Sequence, residues 1–312
     1  MNIDQFSVAV LAPCYNESVA IGKVIADFRS VLPNARIYVY DNNSSDDTFQ
    51  VAAAAGAITR VERRQGKGNV VRRMFADIEA DIYVLVDGDA TYDASSAPKM
   101  IEQLIADQSD MVVGCRVHTD EDAYRQGHQF GNAMLTGVVA RLFGRSFTDI
   151  LSGYRVFSRR FVKSFPALSS GFEIETELTV HALELRMPVS EIKTPYGARL
   201  EGSTSKLSTY RDGFRILRII FMLFKHERPL YYFLIIAGLL AGVSVVLGLP
   251  VVFEWLRTGL VPRFPTAILA SGIMIMACLS LTVGLVLETV TRGRQELKRL
   301  IYLQLPLIGT AK

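Results

Sequence analysis

The chain has 312 residues, 50% of them hydrophobic and 21% charged, with 34 Lys and Arg against 31 Asp and Glu. That length accommodates one sizeable core and something further, and a net charge of +3 is too small to argue for a nucleic-acid partner. Cys14, Cys115 and Cys278 are few and scattered, which indicates neither a disulfide framework nor a zinc site.

Met1 to Glu17 starts acidic and carries only a short apolar run, so it does not read as a signal peptide. Ser7 to Ala12 is a predicted strand ending in Pro13-Cys14-Tyr15-Asn16-Glu17. A helical period follows through Ile21, Val24, Ile25, Phe28 and Val31, and Pro33-Asn34 breaks it. Arg36 to Tyr40 is a second strand, ending in Asp41 and the polar turn Asn42-Asn43-Ser44-Ser45-Asp46-Asp47. Thr48 to Ala55 is helix-prone, Ile58 to Val61 is a third strand, and Lys67 to Ile78 is a further helix. Then Ile82-Tyr83-Val84-Leu85-Val86 runs straight into Asp87-Gly88-Asp89. An apolar run of this kind is a strand buried on both faces of a parallel sheet, and ligands of such sheets gather past the carboxyl ends of strands. Continued as a strand, Asp87 and Asp89 project to one side, and two adjacent acids call for a cation between them.

A helix beginning near Pro98, capped by Ser95 or Ser96, and a strand from Met111 to Cys115 complete a pattern of alternating strands and helices. It predicts a doubly wound, mostly parallel sheet with its functional loops on one edge. Val117 to His128 is polar and suits a mobile loop. His118 and His128 lack any metal-ligand spacing and read as surface histidines. Gly131 to Phe143 is helical, Thr148 to Arg155 turns into a short strand, Glu173 to Leu185 is a helix, and Val189 to Thr194 is the last strand. Tyr210 to Phe224 alternates Arg211, Arg215 and Arg218 with apolar residues, the pattern of a helix in the membrane interface.

The mean hydropathy of +0.24 has a local source. Leu230 to Phe253 and Phe264 to Leu287 contain no charge, and each is long enough to span a hydrocarbon core of about 30 Å. Lys225, Arg228, Arg292, Arg294, Lys298 and Arg299 flank this hairpin, while the short link holds Arg257, Arg263 and Trp255, so the positive-inside rule places both termini in the cytoplasm. Gln295 to Leu307 mixes basic and apolar residues and offers a surface for a neighbouring subunit, hence a homo-oligomer, or for the membrane.

With Pro13 to Glu17, Asp41 and its turn, Gly66-Lys67-Gly68 and Asp87-Gly88-Asp89 in that order, the first half resembles the family 2 glycosyltransferases of the GT-A fold. Ser152 to Phe157, Gly171 to Glu177, and Arg199 through Gly202, Ser203 and Ser205-Lys206-Leu207 are similar to the polyprenyl-phosphate glycosyltransferases of that family, the group containing dolichyl-phosphate mannose synthase and bacterial undecaprenyl-phosphate glucosyltransferases. The motif resemblance covers about residues 6–225, and the remainder matches by architecture. It implies an α/β, Rossmann-like GT-A catalytic domain over 1–209, an amphipathic interfacial helix and linker over 210–229, a transmembrane hairpin over 230–287 with spans 230–253 and 264–287, and a cytoplasmic basic tail over 288–312. The location it implies is the inner (plasma) membrane.

The resemblance also implies roles. Pro13, Tyr15, Glu17 and Asp41 hold the nucleotide base, Lys67 approaches the diphosphate, Asp87 and Gly88 contact the nucleotide sugar, and Asp87 and Asp89 ligate a divalent cation, Mg or Mn. A carboxylate at Asp41 suits uracil or guanine, with a UDP-sugar favoured over a GDP-sugar. Asn42 and Asn43 stand where many relatives carry Asp or Glu. The acceptor is a polyprenyl monophosphate, already anionic at pH 7, so capture by Arg116, Arg155, Arg199, Ser205 and Lys206 matters more than a strong base. Asp87, Asp89, Glu177 and Arg155 form the expected catalytic set; Glu175, two positions before Glu177, reads as solvated or capping. Direct attack by the phosphate oxygen predicts inversion. Two other readings are a non-catalytic nucleotide-sugar- or lipid-binding membrane scaffold, against which the intact carboxylates argue, and a processive polysaccharide synthase, whose Gln-x-x-Arg-Trp motif the chain lacks.

Overall fold

A computed structural model describes residues 3–118, 136–137, 147–166, 174–199, 221–222, 225 and 228–309. Ser205 and Lys206, the loop after His118, and most of the helices expected over 131–143 and 210–224 lie outside the described residues. The chain divides into two compact units, Met1–Ile216 with Lys298–Lys312, and Leu217–Leu297.

The first unit is built on seven strands, β1 Val8–Cys14, β2 Arg36–Asp41, β3 Ile58–Val61, β4 Ile82–Leu85, β5 Met111–His118, β6 Arg155–Ser158 and β7 Val189–Tyr196, in the order β3-β2-β1-β4-β6-β5-β7. β6 runs antiparallel to both of its neighbours, and the remaining pairs are parallel. The sheet is therefore mostly parallel, as expected, with one reversed strand inserted between β4 and β5. The strands alternate with helices α1 Ile21–Val31, α2 Thr48–Ala54, α3 Lys67–Asp77 and α4 Ser96–Ala106; α5 Arg159–Ser164 and α6 Ile174–Glu184 follow β6.

Period-two side chains divide the core between the two faces. Val8, Val10, Ala12, Ile82, Val84 and Val86 join Ile21, Val24, Ile25 and Phe28 of α1 and Met100, Ile101 and Leu104 of α4. On the opposite face Tyr83 and Phe157 meet Phe75 of α3, and Phe157 stacks on Phe161 of α5 with ring centroids 4.6 Å apart. Burial on both faces explains why β4 reads as an unbroken apolar run rather than an alternating one.

The carboxyl end of the chain belongs to this first unit. Lys298 pairs with Glu184 at 2.6 Å, the Tyr302 hydroxyl donates to Asp110 at 2.7 Å, Arg160 lies over the Tyr302 ring, and Ile308 packs on the core. Within the stretch offered by sequence to a neighbouring subunit or the membrane, Lys298 and Tyr302 are engaged by their own chain, while Leu297, Leu300, Ile301 and Leu303 stay exposed.

Within the second unit, α7 Pro229–Thr258 pairs with α8, which spans Phe264–Leu303. Both helices exceed the spans expected from hydropathy, and α8 continues through Arg292, Arg294 and Lys298. Their shared seam repeats every seventh residue, Ala237, Ser244 and Val251 on α7 and Ala270, Ala277, Gly284 and Thr291 on α8. Small residues at that period let two helices approach closely. Ser244 Oγ donates to the Ala270 carbonyl at 2.7 Å, and a Cβ at Gly284 would lie 2.9 Å from Phe233 Cβ. Only 17% of each apolar window is buried, so most of the Leu, Ile and Val side chains face outward.

Candidate active site

The carboxyl edge of β1, β2 and β4 assembles from loops that staple one another. Register pairs Cys14 with Asp41, which brings the Pro13-Cys14-Tyr15 segment beside the end of β2. The Asn16 N–H donates to Ser44 Oγ, Asn16 Oδ1 accepts from the Ser45 N–H, the Glu17 N–H donates to Thr48 Oγ1 and the Ser18 N–H to Asp46. Asn16 and Asn43 take positive φ, which asparagine tolerates better than most residues. Asn42 supplies what an acid could not. Its Nδ2 donates to the carbonyls of Glu62 (3.0 Å) and Arg64 (2.8 Å), and its Oδ1 accepts from the Gly66 N–H (2.7 Å), fixing the turn that starts α3 with Lys67.

Asp41 lies buried at this edge. Its Oδ2 accepts from the Ser44 N–H at 3.2 Å, and its Oδ1 has no hydrogen-bond partner among the described residues. Leaving a buried acceptor unmet costs about 1–3 kcal/mol, so a donor from a ligand fits this oxygen. Asp41 is thus not a cap for α2; Asp46 makes that contact by accepting from the N–H and hydroxyl of Thr48. Similarly Asp93, not Ser95 or Ser96, is the acceptor at the start of α4. Tyr15 is exposed at the loop and Glu17 is buried beneath it.

β4 ends at Leu85, so Asp87, Gly88 and Asp89 leave the strand for a turn that closes on Ala90 at positive φ. The expected same-side projection along a strand gives way to two distinct environments. Asp89 is buried; Oδ1 accepts from the N–H and hydroxyl of Thr91 at 3.2 and 2.6 Å, and Oδ2 pairs with Arg199 at 2.8 Å. Asp87 is more open and pairs with Lys67 at 2.5 Å. At both glycines here a side chain would displace a neighbouring side chain. A Cβ at Gly88 would lie 2.4 Å from Cys14 Sγ, and one at Gly153 would lie 2.6 Å from Asp87 Oδ2.

Lys67 also reaches Glu175 Oε1 at 2.5 Å. Burial alone would lower its pKa, but the flanking Asp87 and Glu175 carboxylates hold the ammonium well above the usual lysine range. Glu175, read from sequence as solvated or capping, is buried in the site, and the expected Glu177 is the more exposed of the two. Their spacing correctly shows that they face apart; which one faces inward depends on how α6 is seated.

Arg155 requires a correction as an acceptor-phosphate and catalytic residue. It is 0% exposed. Its guanidinium donates to the carbonyls of Ser152 (2.9 Å) and Ile150 (2.5 Å) and to Thr179 Oγ1 (2.8 Å), so it ties the turn before β6 to α6. Burial pulls its pKa down to about 10, still cationic at neutral pH. Arg116 is committed to Asp149 through both arms of its fork, at 2.7 and 2.8 Å, and stands over the Tyr196 ring. Burial alone would raise the Asp149 pKa, but Arg116 holds the carboxyl below its usual range. Asp149 was missed in the sequence, as were Thr91 and Tyr196, while Gly153 was read only within the Ser152 to Phe157 motif. Tyr92 accepts from the Gly153 N–H at 2.9 Å and packs between Tyr154 and Tyr196.

Among the described residues no group of three or more His, Cys, Asp and Glu gathers as a metal cage. Two carboxylates at one turn, each drawing a cationic side chain, fit a hard divalent ion that keeps substrate phosphate and water among its ligands.

Residues 9–165 match the model of Glycosyl transferase family 2. Over 270 residues the chain is 33% identical to glycosyltransferase AglJ of Haloferax volcanii, an alignment that covers 86% of this chain and 88% of AglJ. A dolichyl-phosphate hexose transferase of the same organism is 26% identical over 221 residues, covering 71% of this chain and 95% of that protein. Glucosyl-3-phosphoglycerate synthase from Mycobacterium tuberculosis, solved with Mn2+, UDP and glucosyl-3-phosphoglycerate, aligns with a TM-score of 0.57 at 21% identity over 71% of this chain and 80% of that one, a likeness of fold.

Proposed function

Since the chain belongs to glycosyl transferase family 2, we propose that it transfers one sugar, with inversion, from a nucleoside-diphosphate sugar, a UDP-sugar by preference, to a polyprenyl phosphate at the cytoplasmic face of a membrane. The observation that carries this is the pairing, on one sheet edge, of a buried Asp41 oxygen that meets no donor among the described residues with the Asp87-Gly88-Asp89 turn. Asp41 accepts the imide N–H of the base, and Tyr15, beside Pro13 in the neighbouring loop, offers the base an exposed aromatic face. A divalent cation, Mg or Mn, supplies charge stabilisation to the departing diphosphate when bound, with Asp87 and Asp89 as its protein ligands.

The remaining steps belong to side chains of this chain. Lys67 opens α3 and holds its ammonium beside Asp87, so that this cation and the helix N-terminus meet the diphosphate on the same edge. An oxygen of the acceptor monophosphate forms the bond to the anomeric carbon as the bond from that carbon to the diphosphate oxygen breaks. Neither event releases a proton, so no side chain has to act as a base. Arg199, beside Asp89, and Lys206 are the cations assigned to the acceptor phosphate once Arg155 is set aside.

The lipid acceptor is supported by α7 and α8, which are long and apolar enough to cross a bilayer and turn most of that surface outward. The core helix of a soluble domain would instead be mostly buried. The alignment to a dolichyl-phosphate hexose transferase points to the same acceptor class. The test is incubation of the detergent-solubilised protein with radiolabelled UDP- and GDP-sugars, and with undecaprenyl phosphate or a soluble phosphorylated acceptor such as 3-phosphoglycerate. Label entering the organic phase only with the lipid supports the proposal; label found only on the soluble acceptor overturns it.

A further inference from the structure

Lys67 Nζ stands between two carboxylates, 2.5 Å from Asp87 Oδ1 and 2.5 Å from Glu175 Oε1. The Lys67 and Glu175 side chains are only 10% and 6% exposed, whereas Asp87 retains 30%. One ammonium shared by two acids leaves the cluster with a net negative charge, and the shielded Lys67–Glu175 side of it is little screened by solvent. The other oxygen of Asp87 faces Gly153, where a Cβ would lie 2.6 Å away. A cation approaching Asp87 must therefore compete with an ammonium already there.

Glu175 gives that ammonium a second place to rest. It lies in the first turn of α6, and its carbonyl accepts from Thr179 Oγ1, the hydroxyl that also takes a hydrogen bond from buried Arg155. The Arg155 network therefore fixes the backbone from which Glu175 reaches Lys67. We propose that Glu175 is a positioning residue that draws Lys67 away from Asp87 and so opens Asp87 to the divalent cation. This deepens, and rests on, the proposed role of Asp87 and Asp89 as that cation's ligands.

The test is titration of the full-length protein in detergent with Mn2+ alone, followed by electron paramagnetic resonance, so that no donor or turnover enters the readout. In Glu175→Gln the ammonium belongs to Asp87 alone and one negative charge is gone, and Mn2+ binds about tenfold more weakly. In Lys67→Met the competitor is gone and both acids remain, and Mn2+ binds more tightly than in the parent. Opposite shifts from neighbouring substitutions are not what loss of local structure produces. Shifts of the same sign, or parent-like affinity in both variants, overturn the proposal. Should Glu175→Gln fail to fold, as judged by its circular-dichroism melt, Lys67→Met decides alone, with unchanged or weaker Mn2+ binding counting against it. Asp89→Asn separates the two levels. Parent-like Mn2+ binding in that variant overturns the cation site itself, whereas its loss with no shift in the other two variants overturns only the role of Glu175.

Discussion

Replacing Asp149 with asparagine removes the charge that both arms of Arg116 grip, and turns one acceptor oxygen into a donor facing the guanidinium. Breaking a fully buried ion pair costs about 3–5 kcal/mol. Here the Asp149 side chain is 9% exposed, but Arg116 keeps 24% and can recover some hydration, so the expected cost is about 2 kcal/mol. For a unit of this size that lowers the melting temperature by about 4–8 °C at pH 7. The effect also has a pH signature. Asp149 is held below its usual pKa in the folded protein, so its contribution is full above the unfolded value of about 3.9 and is lost as pH falls through the lower folded value. Melts followed by intrinsic fluorescence should therefore show a gap between parent and Asp149→Asn at pH 7 that narrows as the pH drops below about 4. A variant that melts within about 1 °C of the parent at pH 7 would refute the assignment of Arg116 to Asp149 and return it to the pool of free phosphate binders.

Three further variants probe the site and its supports. Gly153→Ala places a methyl group where Asp87 Oδ2 now lies, so transfer should fall at least tenfold with little change in melting temperature; parent-like kcat would show that Asp87 has room to move. In Asn42→Asp two carbonyls lose their donor and face a carboxylate. KM for the nucleotide sugar should rise and stability should drop by about 2 kcal/mol, and a donor-binding isotherm matching the parent's would contradict this role for the Gly66-Lys67 turn. Lys298→Ala combined with Tyr302→Phe strips buried Glu184 and Asp110 of partners from the chain's end, and proteolysis of residues near the carboxyl terminus should accelerate; an unchanged cleavage pattern would count against the docked end.

Much of the scaffold was readable because local patterns and tertiary burial agree. The apolar run of β4, the period of α1 and the turn chemistry after β2 each name their element, and the acids fall on the edge where such sheets bind ligands. Features set by long-range packing were not readable. Nothing in Arg155-Val156-Phe157-Ser158 announces a reversed strand buried on both faces, so an arginine that ties β6 to α6 looked like a phosphate ligand. Glu175 and Glu177 are equivalent in sequence until α6 is rotated against Lys67. Lys298 and Tyr302 resemble part of a solvated tail because their partners, Glu184 for the lysine and Asp110 and Arg160 for the tyrosine, come from distant segments. Asp87-Gly88-Asp89 was legible as a pair of acids, but not as a turn in which one is buried under Arg199 and the other held by Lys67.

The proposed role of the Asp87-Gly88-Asp89 turn is sugar transfer to a lipid phosphate. It is tested most directly by comparing parent and Asp89→Ala protein, matched for folding by their melts, in transfer of labelled sugar from a UDP-sugar to undecaprenyl phosphate at saturating Mn2+. Label in the organic phase for the parent, its loss with chelator, and a drop of about 100-fold or more in the variant are the expected results. Equal transfer by the two proteins would contradict it.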